Sequence, residues 1–161
     1  SGERIGTVHI SVEATTVGSG ILLSQDVDIY EGETAAETVV RMLQNNGYSV
    51  DYTGNYETGF YLARISSESN FVTGNIPEDL RTKLEEHGFE IYDFTPNSLG
   101  DYDFTKGSGW MYQVNGVYPN YGLSDYCFQN GDTLRLRFTL AYGADIGQDM
   151  TGGSDNWGYE W

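Results

Sequence analysis

An α+β fold, with a mixed sheet packed on one main helix, is predicted by three features of the 161-residue chain. Several short stretches alternate apolar and polar residues with the period of a half-buried strand. One stretch carries the helical period behind a capping signal, and 21 glycines punctuate the intervals. One domain is the default at this length, because a core can form within roughly 100–150 residues.

Residues 7–12 place Val8, Ile10 and Val12 on one side and Thr7, His9 and Ser11 on the other, as in a first strand. Gly18 and Gly20 permit a turn, and Ile21 to Leu23 with Val27, Ile29 and Tyr30 supply the second strand of a hairpin. Thr34-Ala-Ala-Glu37 is a capping box, in which Thr34 accepts from an early helix amide and Glu37 reaches back. Behind it Ala36, Val39, Val40 and Leu43 line one helical face, and Gly47 supplies the left-handed stop. Residues 48–52 and 60–65 read as strands joined by the turn-rich residues 53–59. Pro77 suits the first turn of an inserted second, short helix running to about His87, with Leu80 and Leu84 one turn apart and Gly88 as its stop. Residues 89–94 alternate as a strand, and 95–107 read as a loop. In Gly107-Ser-Gly-Trp-Met-Tyr-Gln-Val-Asn-Gly116, Trp110, Tyr112 and Val114 share one strand face. Asn115-Gly116 best fits a type I′ hairpin, whose partner strand would begin at Val117. After a turn at 129–132, Leu134, Leu136, Phe138 and Leu140 alternate with Thr133, Arg135, Arg137 and Thr139, a strand with one buried face. From Gly143 the composition turns to Gly, Asp and Ser, so 143–161 reads as a tail or linker behind a domain at 1–142. A hairpin, a capped helix on it and later strands outline a β-grasp fold, a sheet curled around one helix.

The net charge of −16, from 24 acidic against eight Lys plus Arg residues, repels nucleic-acid phosphates and anionic lipid surfaces. It maintains solubility or attracts a cationic partner. The lone Cys127 has no partner for an internal disulfide and reads as a small buried hydrophobe. No run approaches the roughly 18 apolar residues of a membrane span, and the start lacks the charged-then-apolar pattern of a signal peptide.

Catalysis finds little support. Only His9 and His87 are available as imidazole bases, one on a strand face and one in a helix's last turn, and no pattern selects a carboxylate pair. Asp101-Tyr-Asp103-Phe-Thr105 alternates oxygen ligands, but Lys106 and Tyr112 stand where a calcium loop wants glycine and a carboxylate. Asp145, Asp149 and Asp155 follow no ligand spacing, so no metal site and no enzyme is expected, and both the Asp101 loop and these tail aspartates read as solvated. The aromatics are more informative, with 13 Tyr, seven Phe and three Trp. Trp110, Tyr112, Tyr118 and Tyr121 are the candidate ligand-binding residues, since flat rings beside amides can hold a sugar, a planar ring or a proline-rich peptide. Trp110 and Tyr112 also suit a core face, whereas Tyr118 and Tyr121 lie beside Pro119 and Gly122, where burial is harder.

Several blocks resemble a known family. Thr34-Ala-Ala-Glu-Thr-Val-Val, Asn46-Gly-Tyr-Ser-Val, Tyr52-Thr-Gly and Gly59-Phe-Tyr-Leu come first. Ser108-Gly-Trp-Met-Tyr-Gln-Val-Asn-Gly, Tyr126 and Asn130-Gly-Asp-Thr-Leu follow. Together they resemble the transcobalamin-like C-terminal domain over residues 7–142, with about 66–106 inserted relative to a compact member. The resemblance implies a β-grasp-like module common in secreted or surface-attached proteins of Gram-positive bacteria. The expectation is therefore a non-catalytic extracellular or cell-surface module, part of a longer exported protein, serving adhesion, spacing or contact with a protein or glycan partner. In animal cobalamin carriers the related domain covers one face of the corrin ring, beside a separate helical domain. Small-molecule binding, of a corrinoid such as cobalamin or of a carbohydrate, is thus the alternative.

Overall fold

The computed structural model describes residues 2–148 and 159–161. Strands β1 (Arg4–Ala14) and β2 (Gly20–Tyr30) form the expected antiparallel hairpin. Helix α1 (Ala35–Asn45) follows, then β3 (Ser49–Thr53) and β4 (Tyr61–Ser66) as a second hairpin. Helix α2 (Glu78–Glu86), β5 (Ser98–Gly100), β6 (Gly109–Val114) and β7 (Thr133–Thr139) complete the α+β order.

The strands make two sheets. One has the order β2-β1-β7-β6, with β7 parallel to β1 from His9↔Thr133 to Glu13↔Arg137, and the other has the order β3-β4-β5. The return of a late strand parallel to the first, after a hairpin and a helix, is the β-grasp outline. Helix α1 begins as predicted, with the Glu37 N–H donating to the Thr34 hydroxyl. The carboxylate engaged beside the cap is that of Glu33, which accepts from the Tyr30 N–H at 3.2 Å and from Arg41 at 2.8 Å. Val39, Val40 and Leu43 of α1 join Val8, Ile10 and Val12 of β1 and Leu134, Leu136 and Phe138 of β7 in one apolar cluster. Burying each such side chain stabilises by roughly 1.5–3 kcal/mol, so this helix-to-sheet seam holds the fold.

Five expectations need correction. Residues 89–94 form no strand: the Tyr92 N–H donates to the Phe104 carbonyl at 2.7 Å and the Phe104 N–H to the Asp93 carbonyl at 3.2 Å. Tyr102 and Phe104 hold φ of 69° and 71°, which takes the facing chain out of extended geometry and stops the ladder. The expected loop at 95–107 contains β5, which pairs with β4 from Arg64↔Gly100 to Ser66↔Ser98. Asn115 and Gly116 do take the type I′ turn, with φ of 51° and 86°, but the hairpin is one bridge, Val114↔Val117. Pro119 has no amide to extend it, and β6 pairs instead with β7 over six residues. Cys127 is exposed, because its neighbours Tyr126 and Phe128 take the inward positions. Finally, β7 is covered on both faces from Leu136 onward. Arg137 is 5% exposed and Thr139 2%, because 143–148 fold back as turns and 159–161 return against them. The rest of the expected tail, 149–158, lies outside the described residues.

Candidate aromatic groove

Strand β6 brings Trp110 and Tyr112 to the junction of the two sheets. The Trp110 indole N–H donates to the Leu99 carbonyl of β5 at 2.9 Å, and its ring meets Phe138 edge-to-face at 5.2 Å. Opposite, β4 and the residue before it supply Phe60, Tyr61 and Leu62, and the 118–123 loop closes one end. The loop is pinned to this wall by the Phe60 N–H, which donates to the Ser124 hydroxyl at 3.0 Å. The resulting groove has a volume of about 200 Å³ and opens to solvent.

All four sequence-predicted residues line it. Trp110 is buried as the groove's wall, and Tyr112 is half-buried. Tyr121 is 40% exposed and stacks on Tyr126 at 6.1 Å. Tyr118 is not at the surface: it is 1% exposed, its hydroxyl donating to the Ile146 carbonyl at 2.6 Å and accepting from Arg137 at 3.0 Å. The turn at 143–148 supplies that buried acceptor, which turn composition around Pro119 does not foretell. Phe60, Tyr61 and Leu62 were missed, and the one local signal was the Gly59-Phe-Tyr-Leu block at the mouth of a strand.

Around the groove the Trp110, Tyr61 and Tyr112 ring donors bond within the chain. The Tyr112 hydroxyl donates to the Tyr121 carbonyl. Tyr61, 47% exposed, donates to Asp101, whose two oxygens both lie 2.8 Å from its hydroxyl. Gly109 makes room for that pair, since a Cβ there would stand 2.9 Å from Asp101 Oδ1. Burial, then interaction with Tyr121 and with the Asp125 carboxylate, raise the Tyr112 phenol above its ordinary value; burial and then Asp101 do the same for Tyr61. Tyr126 is pushed up to about 12 by burial and by its hydrogen bond to Asp132. These phenols remain neutral donors at neutral pH, so the groove offers ring faces and carbon rather than charge.

Other expected chemistry resolves differently. His9 Nδ1 lies 2.9 Å from Asp26 and Nε2 lies 2.9 Å from the Ser24 hydroxyl, the connectivity of a nucleophile, base and orienting acid. Yet the His9 and Asp26 side chains are 44% and 77% exposed, so water surrounds the set and nothing desolvates it. His87 bonds the Lys83 carbonyl at 2.8 Å. The Asp101 loop is not simply solvated: Asp103 is 6% exposed and accepts from Arg64 at 2.7 Å and the Gly100 N–H at 2.8 Å. Asp145 is buried, bonding Thr139 and the Leu140 N–H, and burial raises its carboxyl despite those donors. Asp149 and Asp155 lie outside the described residues. Among the described residues, no group of three His, Cys, Asp or Glu is placed to hold a metal ion, and no helix is long and apolar enough to cross a membrane.

No curated protein matches the chain. Among solved structures, the crystal structure of a candidate metal-binding protein from Ruminococcus gnavus ATCC 29149 is similar with a TM-score of 0.41 and 12% identity, covering 85% of this chain and 99% of that one. The family model described as "Domain of unknown function (DUF4430)" matches residues 88–139, the stretch that contains β5, β6 and β7.

Proposed function

We propose that the chain is a non-catalytic, transcobalamin-like contact module of an exported bacterial surface protein, and that its groove takes an apolar side chain from a protein partner. The observation behind this reading is that four of the groove's ring donors are already engaged: those of Trp110, Tyr61, Tyr112 and Tyr118 all bond to the chain itself. A sugar binds through hydrogen bonds as well as stacking, and here those donors are already engaged. A volume of about 200 Å³ also falls below the roughly 300–1,000 Å³ of small-molecule pockets, so it suits one side chain and not a whole corrinoid. Asp101 and Asp125 near the rim, with the net charge of −16, favour a partner segment carrying Lys or Arg beside its apolar anchor.

The test is a titration of Lys-flanked proline- and leucine-containing peptides, a glycan panel and cobalamin, followed by amide chemical shifts. Peptide binding should weaken with salt and fall about tenfold in Tyr121→Ala and Tyr61→Ala. Glycan or cobalamin binding lost in those same variants, with no peptide binding, would refute the protein-partner reading.

A further inference from the structure

The face of β7 opposite the aromatic groove is covered partly by a distant piece of the same chain. Ile146 and Glu160 form an isolated antiparallel bridge, and the Trp161 N–H donates to the Asp145 carbonyl at 3.0 Å. The Glu160 carboxylate accepts from Arg137 Nη2 at 2.7 Å, and the Trp161 ring stacks on His87 at 4.2 Å with 24° between planes.

The receiving side is held by contacts that do not involve residues 159–161. Asp145 is fixed by Thr139 and by the Leu140 N–H at 2.7 Å, which orients the turn bearing its carbonyl. The Arg137 guanidinium is steadied by the Tyr118 hydroxyl at 3.0 Å and the Ile146 carbonyl at 3.2 Å. His87 is anchored on Lys83, at the end of α2. A backbone acceptor, a fixed guanidinium and a flat ring thus stand in register with two successive residues, beside a cavity of about 320 Å³ reaching Thr16, Pro77 and Leu80. The occupying residues are unevenly covered: Trp161 is half-buried against the core, whereas the Glu160 side chain is 57% exposed and Tyr159 is 90% exposed. A segment held through one half-buried ring and a few hydrogen bonds is suited to exchange, since short segments of that kind open at low free-energy cost.

We propose that this is a binding site for an extended acidic-aromatic peptide segment, filled in cis by Glu160-Trp161 and able to accept the same segment from a second copy of the chain. Every copy carries both halves. Tethering raises the local concentration of the cis segment to the millimolar range, so the closed monomer dominates when dilute and exchange requires crowding, as at a surface.

A complementation experiment on the full chain tests this. Trp161→Ala keeps the receiving site and loses the occupant, whereas His87→Ala keeps the occupant and weakens the site. Mixed at high concentration, the two variants should form a one-to-one complex by sedimentation that neither forms alone. The free peptide acetyl-Tyr-Glu-Trp should bind Trp161→Ala about tenfold more tightly than it binds the wild type, where it competes with the tethered segment. Replacing its Glu by Lys should abolish binding. The His87 ring resonances should also shift in Trp161→Ala as the stacked indole is removed. Unchanged His87 resonances, or a Trp161→Ala protein that binds neither the peptide nor the His87→Ala protein, would overturn the proposal.

Discussion

Arg137 is the more buried of the two arginines on β7, yet Arg135 is the one whose loss should destabilise the fold. Both approach Glu13, whose side chain is 8% exposed. Arg135 grips it with Nε at 2.8 Å from one oxygen and Nη2 at 2.7 Å from the other, and Ser11 adds a hydroxyl at 2.7 Å. The nearest Arg137 nitrogen is 3.6 Å away, beyond a good hydrogen bond. Arg135→Met therefore leaves a buried carboxylate with Ser11 and one distant charge. Breaking a sealed ion pair costs about 3–5 kcal/mol. The Arg135 side chain is 38% exposed, so water can enter its place and about 2–3 kcal/mol is expected. Arg137→Met strands nothing comparable. Glu13 keeps Arg135, Glu160 is already largely in water, and the Tyr118 hydroxyl still donates to the Ile146 carbonyl. Met fills much of the vacated stem, so about 1 kcal/mol or less is expected. Urea unfolding at neutral pH reads both, with the slope unchanged and the midpoint moved. Adding Glu13→Gln to Arg135→Met should recover part of the loss by removing the orphaned charge. An Arg137→Met protein as unstable as Arg135→Met would refute this division of labour.

Acid should destabilise the protein through Glu13 and Asp132. Burial alone would raise both carboxyls, but Arg135 and Ser11 at Glu13, and the Gln129 N–H, Asn115 and Tyr126 at Asp132, outweigh it and hold them below their ordinary 4.5 and 3.8. The folded state then binds fewer protons, so this stability is complete above the ordinary values and is lost as pH falls through the lower folded ones; Asp145, raised by burial, works in the opposite sense. Urea midpoints from about pH 6 to pH 2 should drop, and Glu13→Gln should flatten the drop. Cys127, being exposed, should react with a chromogenic disulfide reagent in the native protein at one thiol per chain; reaction only after unfolding would contradict its outward position.

Much of the fold was legible because its elements state their own periods. The alternation in β1 and β7, and the cap and apolar stripe of α1, each specify one buried face, and those faces can meet in few ways. Half of the groove was legible for the same reason, since β6 alternation aligns Trp110 with Tyr112. The other half was not: Phe60 to Leu62 reach the groove through the meeting of β4 and β6, about which neither strand's period carries information. Residues 89–94 show the converse limit. Their alternation is real, but a strand also needs an extended partner, and the positive φ at Tyr102 and Phe104 denies one. Cys127 could have been read correctly, because Tyr126 and Phe128 on either side already claimed the inward positions.

The residue that joins the two halves of this surface is Tyr118. Its ring lines the aromatic groove while its hydroxyl sits between Arg137 and the Ile146 carbonyl, on the side where Glu160 and Trp161 dock. Successive residues of β7 point the same two ways, Leu136 toward the groove and Arg137 toward the docked segment. Arg137 therefore divides its donors between Tyr118 and Ile146 on one side and Glu160 on the other, with its Nε 3.6 Å from Glu13. Coupling between two sites requires such a shared element with a different energy in each occupied state. One buried phenol here has its apolar part facing the groove and its polar tip facing the guanidinium that bonds Glu160.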